Sequence, residues 1–197
     1  LQGWGLTAVL RYTENTISAH LGKADQFAAV SLLPMRQVEF QLAGKQQWIA
    51  VIEGDDSKAP AFARFLGAAV VVVKNSSGHV QVLTTHHFRL DVRDIVRVLR
   101  LREQWIKGEK NAIAWRKLEQ EGAIEEVPEW FWHKDSDNIL NGGRSRPDIP
   151  ATKIPLDTIV ETVKICLEGG FEPSRQEKCK AGICTSTLNS QCRWYNL

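Results

Sequence analysis

Residues 141–147, Asn-Gly-Gly-Arg-Ser-Arg-Pro, carry the sharpest chemical suggestion in the sequence. The adjacent glycines Gly142 and Gly143 let backbone N–H groups approach an anion closely, and the guanidinium groups of Arg144 and Arg146 can fork onto phosphate oxygens. The plain alternative is a turn with solvated arginines. A second group, Thr84-Thr85-His86-His87, follows an apolar run. Thr85 and His86 are candidates to complete an anion pocket, since strand ends often carry active sites. Neighbouring histidines on a strand point to opposite faces, so the pair does not share one metal without a bulge.

Glu53-Gly54-Asp55-Asp56 offers clustered carboxylates. These can hold a divalent cation through oxygen, or place negative charge at the start of the helix that follows, the preferred reading. Arg93, Arg97, Arg100 and Lys107 fall roughly along one side of a helix and could track a phosphate backbone. Asp94 and Glu103 offset them, as on an ordinary solvated face. The end of the chain reads Cys179-x4-Cys184-x7-Cys192-Arg193-Trp194-Tyr195. Three thiols so close suggest a zinc site or an iron–sulfur cluster, with Cys166, a histidine or a cysteine beyond Leu197 as fourth ligand. Redox-sensitive free thiols are the alternative. Seven tryptophans are many for this length, and in Trp130-Phe131-Trp132 one ring faces outward on any regular element.

Elements must position these groups, and the sequence of 197 residues supplies enough apolar material for a large core, 43% being hydrophobic. The 25 basic and 23 acidic residues nearly cancel, which excludes a polybasic nucleic-acid binder but not a local basic patch. No apolar run reaches the ~18 residues of a membrane span. The four cysteines crowd the C-terminus instead of spreading through the chain, so a reducing, cytoplasmic setting is expected. The first residue is Leu1 and no signal peptide is visible, so a segment upstream is expected to be missing.

Apolar patterning predicts a strand at 6–12 and a hairpin from 37–42 and 48–52. It predicts a helix at 59–66, begun near Pro60 and ended by Gly67, and a second hairpin from 69–74 and 80–85. Valines dominate residues 70–73, the mark of a central strand buried on both faces. Asp91 caps an amphipathic helix with Val92, Ile95, Val96, Leu99 and Ile106 inward. A helix at 112–120, a short strand at 130–133, a long loop over 135–150 and an edge strand at 151–154 follow. Thr158 with Glu161 forms a capping box for a last helix ended by Gly169-Gly170. The expected architecture is α+β, a mainly antiparallel mixed sheet with helices packed on it. One domain covers residues 1–170, and an irregular cysteine-bearing tail covers 171–197.

From residue 48 to 167 the order of features resembles the C-terminal substrate-binding domain of DHH-type phosphoesterases. The parallels run through residues 48–52, 59–66, 69–74, 80–85 and 91–101, then Gly142-Gly143, Ala151-Thr152 and 158–167. Arg144 stands where that family has a histidine after the glycines, Thr85-His86 replaces an Arg-Ser pair, and residues 104–140 are an insertion. The family's catalytic aspartate–histidine metal domain is not in this chain. The resemblance thus implies binding of a phosphorylated small molecule or nucleotide without catalysis by this chain alone. Gly142, Gly143, Arg144 and Arg146 would hold the anion, with Thr85 and His86 completing the pocket. Two other functions stay open on the residues: a protein-interaction module whose tail is ordered by metal on Cys179, Cys184 and Cys192, and a hydrolase using Asp55 or Asp56 with a divalent metal and a histidine.

Overall fold

Alternating burial along the strands divides the apolar residues into two sets. The computed structural model describes residues 5–26, 34–109, 113–142 and 148–169, together with Gly3 and Arg146. Within them, seven strands form one sheet: β1 (Met35–Leu42), β2 (Lys45–Glu53), β3 (Val70–Lys74), β4 (Val80–Thr84), β5 (Gly122–Ile124), β6 (Val127–His133) and β7 (Asn138–Asn141). Their order is β1-β2-β3-β4-β7-β6-β5. Every neighbouring pair is antiparallel except β2 and β3, which run parallel across the helix α2 (Ala59–Phe65).

Period-2 alternation sends Ile49, Val51, Val70, Val72, Val80 and Val82 to one face. There they pack against α3 (Arg93–Ile106) and α5 (Leu156–Gly169) through Ile95, Leu99, Ile159 and Val163. Ala50, Ile52, Val71, Val73 and Leu83 take the other face, under Ala59 and Ala63 of α2. Val70, Val71 and Val72 are fully buried, as a strand flanked on both faces by helices requires. The fold is α+β, as expected. The remaining helices are α1 (Leu6–Gln26) and the single turn α4 (Trp115–Leu118).

Several expectations are corrected. Residues 6–12 are the first turns of α1, not a strand. The helix expected at 112–120 shrinks to α4. The long loop expected at 135–150 contains β7, whose Ile139 and Leu140 pair with Val82 and Gln81 of β4. Residues 151–154 form no strand, because their amides bond to side chains instead of to a neighbouring strand. The last helix begins at Leu156, so Thr158 is already helical and its carbonyl accepts the Thr162 hydroxyl. Trp130 and Trp132 are buried and Phe131 is partly exposed, the alternation the triplet predicts.

Candidate anion-binding site

One end of the sheet brings together two of the candidate groups, the acidic loop and the start of the glycine–arginine loop. β2, β3 and β7 all end there, so the acidic loop 53–56, the turn 75–79 and the loop after β7 are neighbours. Asp55 Oδ1 accepts the Ser76 amide at 3.1 Å and ties the first two together. Asp56 Oδ1 accepts the Lys58 amide at 2.8 Å, shaping the turn that enters α2. Both carboxylates therefore serve backbone amides, but neither caps α2 as expected: Asp56 shapes the turn ahead of the helix and Asp55 bonds to the β3–β4 turn. Among the described residues no three His, Cys, Asp or Glu side chains gather as a metal ion requires.

His79 joins the second loop to the third. Its Nε2 lies 3.0 Å from the Ile149 carbonyl oxygen, which makes Nε2–H the donor. Nδ1 lies 2.8 Å from the Ser77 hydroxyl, and that hydroxyl also lies 2.8 Å from Asn75 Oδ1. Asn75 Oδ1 accepts the His79 amide at 2.9 Å, closing the turn. Sequence reasoning passed over His79. Its only sequence signal is a histidine directly after a turn glycine, which is not specific.

Gly142 leaves β7 with φ of 56° and packs against the His79 ring. A Cβ there would sit 2.7 Å from His79 Cδ2, closer than real contacts, and a tight 3.2 Å from Ile149 Cγ2. The position therefore demands glycine for both its backbone angle and its space. We expect Gly142→Ala to cost about 1–3 kcal/mol, measured by urea unfolding. An unchanged midpoint would mean that the loop relaxes away from His79 without penalty.

The base of this loop is closed by a buried polar network. Asn141 is fully buried. Its amide donates to the Glu129 carbonyl at 3.1 Å and the Pro150 carbonyl at 3.3 Å, and its Oδ1 accepts the Thr152 amide at 2.8 Å. Glu103 of α3 continues the network, accepting Trp130 Nε1–H at 3.0 Å, the Lys153 amide at 3.2 Å and the Thr152 hydroxyl. Thus the chain before and after the glycine–arginine segment is held by side chains on β7 and α3. Gly143 and Arg144 lie outside the described residues. Arg146 is exposed and forks onto Asp148, with Nε to Oδ1 at 3.0 Å and Nη2 to Oδ2 at 2.9 Å. The pairing raises the Arg146 guanidinium above its ordinary value and lowers the Asp148 carboxyl.

Thr85 and His86 are elsewhere. The register Gln81↔Leu140 and Val82↔Ile139 puts Gly142 beside the start of β4, whereas Thr85 and His86 follow its end. At about 3.3 Å per residue, Thr85 lies roughly 20 Å along the strand from His79. One small anion does not touch both groups. Thr85 is also occupied: its hydroxyl donates to the Ala68 carbonyl at 2.6 Å and its amide to the Ala69 carbonyl at 2.9 Å. His86 is exposed and opens a 3-10 turn over residues 86–88. Nearby Asp137 is raised from its ordinary value by desolvation, then by the Asp91 charge, with His86 opposing.

The basic residues of α3 are likewise committed inside the molecule. Arg93 pairs with Asp91, Arg97 with Asp94 and Glu119, and Lys107 with Glu129 at 2.9 Å, while Arg100 is buried. They do not form a stripe for a phosphate backbone. Cys166 lies on the buried face of α5, in the core, where burial pushes its thiol well up, so it is not a ready metal ligand. Cys179, Cys184 and Cys192 lie outside the described residues. A shallow hollow of about 390 Å³ along α1, lined by Tyr12, Asn15, Thr16, Ala19 and His20, brings no carboxylate, cysteine or second histidine together with His20 among the described residues. No helix among the described residues is long and apolar enough to cross a membrane. No protein-family model matches the chain, and neither a curated protein nor a solved structure matches it.

Proposed function

We propose that this chain is a phosphate- or nucleotide-binding domain, resembling the substrate-binding part of DHH phosphoesterases, with its anion site in the loop from Gly142 to Asp148. The observation that carries the reading is the closed base of that loop. Asn141 bonds to positions 150 and 152, and His79 bonds to position 149, so the segment enters and leaves from fixed points. Fixed loop ends lower the ordering cost that an anion would otherwise meet on binding. The loop also leaves from the edge where the parallel pair β2 and β3 ends, the usual place for ligands in sheets covered by helices. Arg146 keeps donor groups beyond the two that face Asp148, and an incoming phosphate competes for that fork. Arg144 and the Gly143 amide supply the rest of the site. Thr85 and His86 take no part in it.

A thermal-shift panel of inorganic phosphate, pyrophosphate and nucleotides tests this. A ligand at ~100 times its dissociation constant stabilises by about 2.7 kcal/mol, a rise of roughly 5–11 °C for a chain this long. Arg144→Ala with Arg146→Ala is expected to abolish that rise, and Thr85→Val is expected to leave the binding affinity intact. A flat panel, or a rise that survives the double arginine replacement, removes the loop as the site.

A further inference from the structure

Ser77 and His79 meet in the turn between β3 and β4 in the order of a nucleophile and its base. The Ser77 hydroxyl lies 2.8 Å from His79 Nδ1, and His79 Nε2 lies 3.0 Å from the Ile149 carbonyl oxygen. A carbonyl only accepts, so in the neutral ring Nε2 carries the hydrogen and Nδ1 turns its lone pair to the hydroxyl. Ile149 is thus the third group that orients the base. The hydroxyl has a second acceptor, Asn75 Oδ1, also at 2.8 Å. That oxygen already receives the His79 amide at 2.9 Å, whereas among the described residues Ser77 alone can supply a hydrogen to Nδ1.

The turn does not depend on this contact. Its backbone is closed by the Asn75 amide on the His79 carbonyl and the Gly78 amide on the Asn75 carbonyl, both at 3.0 Å, and by Asn75 Oδ1 on the His79 amide. The Ser77 hydroxyl adds no bond to the backbone, since both of its partners are side-chain atoms. The pair is nevertheless held in place. Gly78 bends the chain between the two residues with φ of 85°, Asp55 fixes the neighbouring Ser76 amide, and Gly142 packs on the far edge of the ring. Ser77 is exposed and open to a substrate, while His79 is half-buried. Ser76 is equally exposed, but among the described residues no histidine bonds to its hydroxyl.

We infer that Ser77 is a nucleophile that accepts an acyl group from a carboxylic ester or acyl phosphate, with His79 as its general base. The Ser77 oxygen bonds to the carbonyl carbon as its proton passes to His79 Nδ1. The bond from that carbon to the leaving oxygen then breaks, and the leaving group departs with the electron pair and, where it needs one, the Nδ1 proton. Water repeats the sequence at the acyl-serine carbonyl, which releases the acid and restores the Ser77 hydroxyl. While the ring is charged, Nε2–H stays on the Ile149 carbonyl, so the imidazolium keeps its position. The loop that starts at Gly142 leaves from the opposite edge of the same ring, so a phosphate on the acyl donor has arginines within the neighbouring loop. That preference for a phosphorylated donor rests on the anion site proposed above; the nucleophile does not.

Labelling of the whole chain with a fluorophosphonate, which displaces fluoride and leaves a stable adduct on an activated serine, tests the nucleophile by peptide mass spectrometry. The expected adduct is on Ser77 and not on Ser76, and His79→Gln should slow its formation by roughly 100-fold or more. Because His79→Gln also alters the turn, a second comparison leaves the histidine in place: iodoacetamide should alkylate Ser77→Cys at least roughly 10-fold faster than Ser76→Cys. No adduct on Ser77, equal labelling of Ser76, labelling indifferent to His79→Gln, or equal alkylation of the two cysteine variants overturns the inference. Two acyl donors separate it from the anion site. Arg144→Ala with Arg146→Ala should slow acylation of Ser77 by acetyl phosphate and leave p-nitrophenyl acetate unaffected. If Ser77 is acylated by both donors at rates the double replacement does not change, the nucleophile stands and the loop loses its role.

Discussion

Replacing Glu103 by alanine is expected to destabilise the protein by about 3–5 kcal/mol, a fall of roughly 6–20 °C in thermal midpoint for a chain this long. The side chain is almost fully buried, and both carboxylate oxygens accept bonds. Oε2 takes Trp130 Nε1–H and the Thr152 hydroxyl, and Oε1 takes the Lys153 amide. Alanine leaves three donors without an acceptor in a space that holds little water, and each orphan costs about 1–3 kcal/mol. Glutamine separates charge and geometry from bulk. It has one oxygen and one NH2 group, so at either orientation the NH2 faces at least one existing donor, Lys153 N–H in one and Trp130 Nε1–H with the Thr152 hydroxyl in the other. We expect Glu103→Gln to cost about 1–3 kcal/mol, between wild type and alanine. Calorimetry of the three proteins decides: a glutamine variant as stable as wild type would mean that the Thr152 and Lys153 contacts contribute little. Because the same bonds close the loop base, both variants should also bind phosphate compounds more weakly, in the order of their stabilities.

The elements that stand out in the sequence are those that carry their own reason to exist. Val70–Val73 is apolar on both faces whatever surrounds it, and the helix after Asp91 repeats its apolar residues at helical spacing; both stand where they were expected. β5 and β7 have no such reason. Gly122-Ala-Ile and Asn138-Ile-Leu-Asn are too short to show a period and become strands only because β6 and β4 offer partners. α1 misleads for a related cause: residues 6–12 alone are a short apolar run, and helical spacing emerges only when Ile17 and Leu21 are counted with Leu6 and Leu10. The candidate site divides in the same way. A glycine–arginine loop is visible locally. That Asn141 and Glu103 close it, that His79 lies beneath it, and that Thr85 lies at the far end of β4 are consequences of strand order. Strand order here depends on β7, hidden inside a polar stretch.

The second large effect is expected at Arg100. Its guanidinium is fully buried and meets no carboxylate. Instead it donates to four carbonyls: Leu118 at 2.8 Å, Gln120 at 2.9 Å, Gly122 at 2.5 Å and Trp130 at 3.0 Å. These belong to the end of α4, the start of β5 and the middle of β6, so one side chain fastens the outer end of the sheet to α3. Burial lowers the guanidinium to about 10, still far above neutral pH, so it remains charged while it makes these bonds. Its folded value lies below the ordinary one, so only from about pH 10 upward does the unfolded chain hold more protons and this group favour folding more as pH rises. Between about pH 6 and pH 9 both states keep the charge, and the loss in a variant should not depend on pH. Arg100→Ala removes every donor and should cost about 3–5 kcal/mol. Arg100→Lys keeps the charge, but its single nitrogen cannot span carbonyls on three elements, so roughly half of the loss should remain. Urea unfolding measures the total, and amide exchange at Gly122 and Ile124 tests the location, since those protons should exchange first in either variant. A buried ion is sometimes replaced by a hydrocarbon without loss, so Arg100→Met is the stringent comparison. If Arg100→Met matched wild type, the four carbonyls would have found other donors. If it behaved like alanine, the attachment of β5 and α4 would depend on the arginine fork itself.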